Sequence, residues 1–116
     1  MITRATGLTC HSDTAQSYRN ELEAGQAFRE SGVSRSEVFI TTKYSGLRDV
    51  ETSIQDSLKY VSSQVVSSIA FVLIPTIKLG VSYVDLYLIH SPRLAQGDIP
   101  GLWKKFEEIH ARGLAK

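Results

Sequence analysis

Four side chains that could hold or transfer a proton fall at or just after the ends of predicted strands. They are Asp13, Tyr18, Lys43 and His90. The carboxyl ends of parallel strands meet at one edge of a sheet or barrel, so residues distant in sequence become neighbours there. A lysine beside a tyrosine lowers the pKa of the phenol, because the positive charge favours the tyrosinate. A carboxylate keeps the lysine charged and in place, and an imidazole can orient a carbonyl oxygen. The group predicts a proton donor for a carbonyl undergoing reduction, with Tyr18 as general acid.

Each of these residues also has a purely structural interpretation. Asp13 could be a turn or cap residue, Tyr18 a surface aromatic and Lys43 a solvated strand end. His90 could be a histidine whose hydrogen bonds are satisfied at the end of a strand. Spacing alone does not decide between these interpretations and the catalytic one.

The element that carries His90 is the clearest strand of the sequence. Residues 83–92 read Tyr-Val-Asp-Leu-Tyr-Leu-Ile-His-Ser-Pro. A short run of large apolar residues that ends at a proline is typical of a fully buried parallel strand. Alternation places Val84, Leu86, Leu88 and His90 on one face, with His90 at the carboxyl end.

The other predicted elements alternate between strand and helix. Strands are predicted over residues 8–15, with His11 and Asp13 on one face, and over residues 38–42, which lead to Lys43. Helices are predicted over residues 20–31, 49–59 and 102–112. Their core-facing residues are expected to be Leu22, Ala27 and Phe28 in the first, Val50, Ile54 and Leu58 in the second, and Leu102, Phe106 and Ile109 in the third. Strand–helix alternation predicts an α/β fold of about three parallel βα units with right-handed crossovers.

Composition limits the classes of protein to consider. The chain has 116 residues, 42% hydrophobic and 22% charged, which corresponds to one globular domain at most. A net charge of +1 gives no reason to expect a nucleic acid or an anionic membrane as partner. One cysteine, Cys10, fits a reducing compartment, and no secretory signal is visible, so a cytoplasmic location is expected.

Three motifs, in order, resemble those of the aldo-keto reductase family. Residues 13–21, Asp-Thr-Ala-Gln-Ser-Tyr-Arg-Asn-Glu, with Gly25 after them, are similar to the family signature. Residues 40–43, Ile-Thr-Thr-Lys, resemble its lysine strand, and residues 85–92 resemble its histidine strand. The resemblance covers about residues 10–59 and 78–116.

The resemblance implies an eight-stranded (β/α)8 TIM barrel that reduces aldehydes or ketones to alcohols with NADPH. By matching position, Tyr18 would be the proton donor, Lys43 its pKa-lowering partner and Asp13 the partner of Lys43. His90 would orient the carbonyl of a small-molecule substrate. The family usually has a bulky residue where this chain has Ser91, so His90 and Ser91 are expected to line a more open substrate pocket. No metal is implied.

Residues 1–116 correspond to only part of such a domain. A full barrel needs about 250 residues, and the groups that bind the NADP(H) cofactor are expected beyond Lys116. The isolated chain is therefore expected to bind no cofactor and to be inactive. The alternative is a non-catalytic partial barrel that acts by association, with self-association through its exposed sheet edges. A third hypothesis is an unrelated α/β domain with accidental similarity.

Residues 60–77 form an uncharged apolar segment that has no counterpart in the family. We interpret the segment as an insertion or a translated intron, because residues 57–59 would otherwise continue directly into residues 78–81 in the family pattern. The competing interpretation is an extra helix on the outer face of the barrel. The strongly apolar core of residues 60–77 is too short for a membrane span, which needs about 20 residues.

Overall fold

The computed structural model of the protein describes residues 10–59 and 78–116. This part of the chain contains three strands and three helices in alternation, as predicted. They are β1 (Cys10–Asp13), α1 (Glu21–Ser31), β2 (Val38–Tyr44), α2 (Val50–Leu58), β3 (Leu86–Ile89) and α3 (Ile99–Ala111). The interpretation of residues 60–77 as an insertion or translated intron lies outside the described residues. Within residues 10–59 and 78–116, no helix is both long and apolar enough to cross a bilayer.

The three strands form a parallel sheet in the order β1-β2-β3, with β2 in the centre. Asp13 lies beside Thr41, and further along β2 Lys43 lies beside Leu88 of β3. The carboxyl ends of all three strands therefore point to the same edge of the sheet. The predicted α/β class with parallel βα units is confirmed. Near the amino end of β3, Val84 forms an isolated parallel bridge with Ala115.

The two faces of the sheet differ in burial. Alternate residues of β2, from Val38 to Tyr44, are buried in the core together with side chains of α2 and α3. On the opposite face, which we call the open face, Leu86 and Leu88 of β3 are 36% and 37% exposed. The prediction that β3 is fully buried was therefore wrong for the described part of the chain, because packing there covers one face only.

The second and third helices follow their predicted patterns. Asp49 caps α2, as expected, by accepting a hydrogen bond from the Thr52 amide at 2.9 Å. Helix α3 begins before the predicted residue 102, because Asp98 caps it by accepting from the Gly101 amide at 2.9 Å. The predicted core residues of both helices are buried: Val50, Ile54, Leu58, Leu102, Phe106 and Ile109.

The first helix buries a different face from the predicted one. Leu22 is 38% exposed and Ala27 is also exposed, while Phe28 is only partly buried. Glu21 and Gly25 are buried instead. A Cβ on Gly25 would lie 2.0 Å from the Lys78 carbonyl oxygen, so only glycine allows this close approach. The pattern failed because a charged residue and a glycine occupy the buried face.

Glu21 is buried because its carboxylate has partners. Oε1 accepts a hydrogen bond from the Thr42 hydroxyl at 2.6 Å, and Oε2 lies 3.4 Å from Lys78 Nζ. Thr42 is fully buried on the covered face of β2. These contacts join the start of α1 to the central strand, next to the turn that follows β1.

A second polar cluster joins the amino ends of β2 and β3. The Arg35 guanidinium donates to the carbonyl oxygens of Val38 and Tyr83 and to Asp85 Oδ2, at 2.6, 3.0 and 2.7 Å. Asp85 Oδ2 also accepts from the Ile40 amide at 2.9 Å. In parallel α/β barrels this end of the sheet serves stability, whereas the carboxyl end serves chemistry.

Candidate active site

Lys43 and Asp13 form an ion pair at the carboxyl end of the sheet, on the open face. Lys43 Nζ lies 2.5 Å from Asp13 Oδ1 and donates to the Thr14 carbonyl oxygen at 3.2 Å. Burial alone lowers the pKa of Lys43, but the hydrogen bond and charge of Asp13, and then those of Tyr18, outweigh it. The net pKa of Lys43 is raised above its ordinary value of 10.5, so the amine is an ammonium at neutral pH.

Tyr18 lies at the end of a 3₁₀ turn, Gln16–Tyr18, that follows β1. The Lys43 ammonium is 4.6 Å from the centre of the Tyr18 ring. Tyr18 is 53% exposed, so the phenol can be reached from outside the sheet. The chain then turns sharply at Arg19, which has a left-handed φ of 55° and donates its amide hydrogen to the Gln16 carbonyl oxygen.

His90 stands beside Tyr18, one residue after the end of β3. The two rings meet edge to face, with centroids 5.3 Å apart and an interplanar angle of 84°. The His90 amide donates to the Tyr44 carbonyl oxygen at 3.3 Å, which continues the ladder between β2 and β3. His90 Nδ1 is 3.0 Å from the Ser17 hydroxyl.

The structure thus brings the four predicted residues into one chain of contacts, from Asp13 through Lys43 and Tyr18 to His90. Ser91, the fifth predicted residue, is half-buried next to His90. Its hydroxyl accepts a hydrogen bond from the Arg93 amide at 3.3 Å and so caps the following 3₁₀ turn, Pro92–Ala95. Ser91 therefore has a local structural role in addition to its expected place in the pocket.

Gln16 is a residue of this site that the sequence patterns missed. Its amide nitrogen donates to the Ser53 carbonyl oxygen and the Ser57 hydroxyl of α2, at 2.8 and 2.9 Å. Its amide oxygen accepts from the amide and hydroxyl of Ser45 at 3.0 and 3.1 Å. Gln16 thereby ties the turn that carries Tyr18 to α2 and to the loop after β2. No hydrophobic period marks such a residue.

Ser17 was also missed, because a single serine between a glutamine and a tyrosine carries no pattern. In the structure it supplies a contact to His90. Thr14 is a third such residue. Its hydroxyl and amide both donate to the Thr41 carbonyl oxygen, at 2.8 and 2.9 Å, so the segment after β1 stays fixed to β2.

The arrangement can hold and transfer one proton. Tyr18 offers a phenol on a side chain that is about half exposed, Lys43 a positive charge close to its ring, and Asp13 a counter-charge. Among the described residues, no three His, Cys, Asp or Glu side chains are grouped as a metal site would need. The Asp13 side chain is 71% exposed, so the site is open on the side of the carboxylate.

Known proteins are similar to this chain in sequence and in fold. The sequence profile described as the Aldo/keto reductase family matches residues 5–116. Aldehyde reductase YPR1 of Saccharomyces cerevisiae is 43% identical over 84 residues, which are 71% of this chain and 21% of the yeast protein.

Solved structures agree with the sequence match. An aldo/keto reductase from Brucella melitensis superposes with a TM-score of 0.69 at 31% identity, over 90% of this chain and 35% of that one. A Bombyx mori aldo-keto reductase (AKR2E4) in complex with NADP gives a TM-score of 0.64 at 31% identity, over 90% of this chain and 33% of that one.

The chain thus spans between a fifth and about a third of the length of these relatives. Its three parallel strands correspond to part of the (β/α)8 barrel of its structural neighbours, and the predicted resemblance is confirmed. The chain belongs to the aldo/keto reductase family of oxidoreductases.

Proposed function

We propose that this chain carries the proton-transfer residues of an NADPH-dependent carbonyl reductase, which converts an aldehyde or ketone to an alcohol. The observation that carries the proposal is the position of the Lys43 ammonium, 2.5 Å from Asp13 Oδ1 and 4.6 Å from the centre of the Tyr18 ring. The yeast relative, an aldehyde reductase, supports a small carbonyl compound as the substrate.

In this proposal Tyr18 is the general acid. Its hydroxyl gives a proton to the carbonyl oxygen as that oxygen gains negative charge. Lys43 stabilises the tyrosinate that remains, because an ammonium near the phenolate favours the charged form. Asp13 holds Lys43 in place and keeps it protonated. His90, next to the Tyr18 ring, donates a second hydrogen bond to the carbonyl oxygen and orients it. Ser91 leaves room in the substrate pocket.

In this proposal a nicotinamide ring binds at the open side of the site. Asp13 and Tyr18 are both more than half exposed there, and they would lie against the ring. When bound, NADPH supplies the hydride for the carbonyl carbon. The Bombyx mori relative in complex with NADP supports this cofactor. The groups that bind the rest of the cofactor are expected beyond Lys116, so we propose that residues 1–116 alone have no NADPH-linked turnover.

We also propose that residues 1–116 are part of a longer reductase domain in the cytoplasm, with residues 60–77 an insertion or translated intron. Sequencing the mature transcript across codons 55–85 and past codon 116 tests this proposal. The expected result is a reading frame that continues into further βα units without codons 60–77. A transcript identical to the present sequence that stops after codon 116 would contradict it.

A second candidate function is association without catalysis. Leu86 and Leu88, each more than a third exposed on the open face, favour it, because an uncovered apolar face next to sheet edges promotes self-association. Size-exclusion chromatography with light scattering of the 116-residue chain distinguishes the two. A monomer excludes this candidate.

The catalytic proposal is tested in the protein translated from the mature transcript, by following NADPH oxidation with a panel of aldehydes. We expect Tyr18→Phe to lower kcat by roughly 10²–10⁴-fold, the usual contribution of a general acid. Tyr83→Phe is the matched control, because Tyr83 packs against Arg35 at the opposite end of the sheet. Activity that survives Tyr18→Phe unchanged would refute the role of Tyr18.

A further inference from the structure

Ser17 and His90 share a hydrogen bond that the proposed proton donor does not require. Ser17 Oγ lies 3.0 Å from His90 Nδ1, and it comes from the same 3₁₀ turn as Tyr18. Among the residues that the structure describes, His90 is the hydrogen-bond partner of the Ser17 side chain. The contact therefore joins the turn after β1 to the end of β3 at the point where the substrate carbonyl would bind.

The direction of this hydrogen bond decides what His90 can do. A neutral imidazole carries one N–H, and the hydrogen bond at one ring nitrogen sets whether the other is a donor or an acceptor. If Ser17 donates to Nδ1, the hydrogen is on Nε2, which can then donate to a carbonyl oxygen. If Nδ1 donates to Ser17, Nε2 carries no hydrogen, and its lone pair would repel the carbonyl oxygen.

We propose that Ser17 is a positioning residue that donates its hydroxyl hydrogen to His90 Nδ1 and so keeps the imidazole as the Nε2–H tautomer. A carbonyl oxygen that binds at Nε2 favours the same tautomer, so the two hydrogen bonds reinforce each other. The proposal rests on the proposed function for the role of Nε2, but the tautomer itself can be measured without any substrate.

The proposal has a consequence for how the site is built. Ser17 and Tyr18 are adjacent in one short turn, and Gln16 holds that turn against α2. The turn thus positions the Tyr18 hydroxyl directly and the His90 donor through Ser17. Both hydrogen bonds that the carbonyl oxygen would accept are then placed by three consecutive residues.

His110 provides an internal reference of the opposite kind. Its Nδ1 is 3.2 Å from the Ala115 carbonyl oxygen, which can only accept a hydrogen bond. His110 must therefore carry its hydrogen on Nδ1. The structure predicts opposite tautomers for His90 and His110 in the same molecule.

The test is a long-range ¹H–¹⁵N correlation spectrum of the histidine side chains of the full chain, at a pH well above the ordinary imidazole pKa of about 6.5. A His90→Asn variant assigns the His90 signals. We expect the Nε2–H pattern for His90 and the Nδ1–H pattern for His110. Ser17→Ala should shift His90 toward a mixture of tautomers, Ser17→Thr should preserve the wild-type pattern, and His110 should stay unchanged in both.

A parallel kinetic test uses the protein translated from the mature transcript. Ser17→Ala should lower kcat/KM by about twofold when the two tautomers become equally populated, since only the Nε2–H form can donate to the carbonyl oxygen, and Ser17→Thr should keep most of the wild-type value. A wild-type His90 with the hydrogen on Nδ1, or a His90 pattern that Ser17→Ala leaves unchanged, would overturn the proposal. Failure of the proposed function gives a different result. Tyr18→Phe would then retain activity, while the tautomers of His90 in the wild type and in Ser17→Ala would still be as proposed.

Discussion

Lys43 and Asp13 form an ion pair in which the lysine side chain is 12% exposed and the aspartate side chain 71% exposed. The ammonium is thus largely removed from water, whereas its counter-charge remains accessible on the open face. Burial lowers the pKa of Lys43, and Asp13 supplies the largest of the opposing effects that raise it. Asp13 is therefore the main cause of the raised pKa of Lys43.

This dependence predicts how stability changes in alkali. The folded-state pKa of Lys43 is raised above 10.5, so its contribution to stability is fully present below pH 10.5 and is lost as the pH rises through the folded pKa. We expect Asp13→Asn to remove this contribution, so that its free energy of unfolding falls less steeply above pH 10.5 than that of the wild type. Urea denaturation of the two proteins between pH 8 and pH 11.5 measures the difference. Parallel curves for the two proteins would contradict the prediction.

Substitution of Gln16 is expected to lower both the stability and the turnover of the protein. Gln16→Met keeps the size of the side chain but removes four hydrogen bonds to Ser45, Ser53 and Ser57. We expect a cost of about 2 kcal/mol in unfolding free energy, because partly buried polar groups lose their partners. We also expect a reduced kcat, since the turn that carries Tyr18 is released.

Gln26→Met is the matched control for Gln16→Met. Gln26 is exposed on α1, and within the described part of the chain its side chain donates to Glu30 on the same helix. Its substitution should change the unfolding free energy by less than about 0.5 kcal/mol. Equal effects of the two substitutions would argue against a role for Gln16 in holding the turn.

Tyr44 and Tyr87 offer a matched pair inside the core. Both are 7% exposed and both pack against Phe106, but only Tyr44 donates its hydroxyl, to the Arg48 carbonyl oxygen at 2.8 Å. Tyr87 Oη is buried near the Gln16 side chain but makes no hydrogen bond of normal geometry among the described residues. We expect Tyr44→Phe to cost about 1 kcal/mol and Tyr87→Phe to be neutral or stabilising. Thermal denaturation of the two variants is the measurement, and a reversed order would refute the assignment.

The cluster at the amino ends of the strands predicts an effect on stability without an effect on chemistry. Arg35→Lys loses the planar group that donates to Val38, Tyr83 and Asp85 together, so we expect a cost of about 2 kcal/mol. Arg112→Lys is the control, because the Arg112–Glu51 pair is about half exposed and should contribute less than about 1 kcal/mol.

Denaturation curves of Arg35→Lys and Arg112→Lys test the stability difference. Kinetic assays of the protein translated from the mature transcript test the effect on chemistry. We expect both variants to keep a kcat near the wild-type value. A large fall in kcat for Arg35→Lys at a temperature where the variant is folded would contradict the assignment of stability to the amino end of the sheet and chemistry to its carboxyl end.

The sequence was sufficient for the order of elements and for the convergence of Asp13, Tyr18, Lys43 and His90, because hydrophobic periodicity and the parallel topology determine both. It was not sufficient for the buried face of α1. There Glu21 is buried because it has two partners, Thr42 on β2 and Lys78, and Gly25 is buried by a close backbone contact. Long-range hydrogen bonds of this kind leave no local period.

The supporting residues of the site were missed for the same reason. Gln16 and Ser17 act through partners on α2 and at the end of β3, which are far away in the sequence. A propensity or a motif describes how a residue interacts with its neighbours in the sequence. Which distant atom it reaches depends on the packed structure.

The parallel pairing of β2 with β3 also has a consequence for folding. The contact between Ile40 and Asp85 closes a loop of 45 residues, whereas the contact between Thr14 and Thr41 closes one of 27. Loop-closure entropy grows only with the logarithm of length, so removing residues 60–77 from the longer loop would change its closure cost by about 0.5 kcal/mol. The chain entropy lost when β2 pairs with β3 is therefore nearly the same with or without residues 60–77.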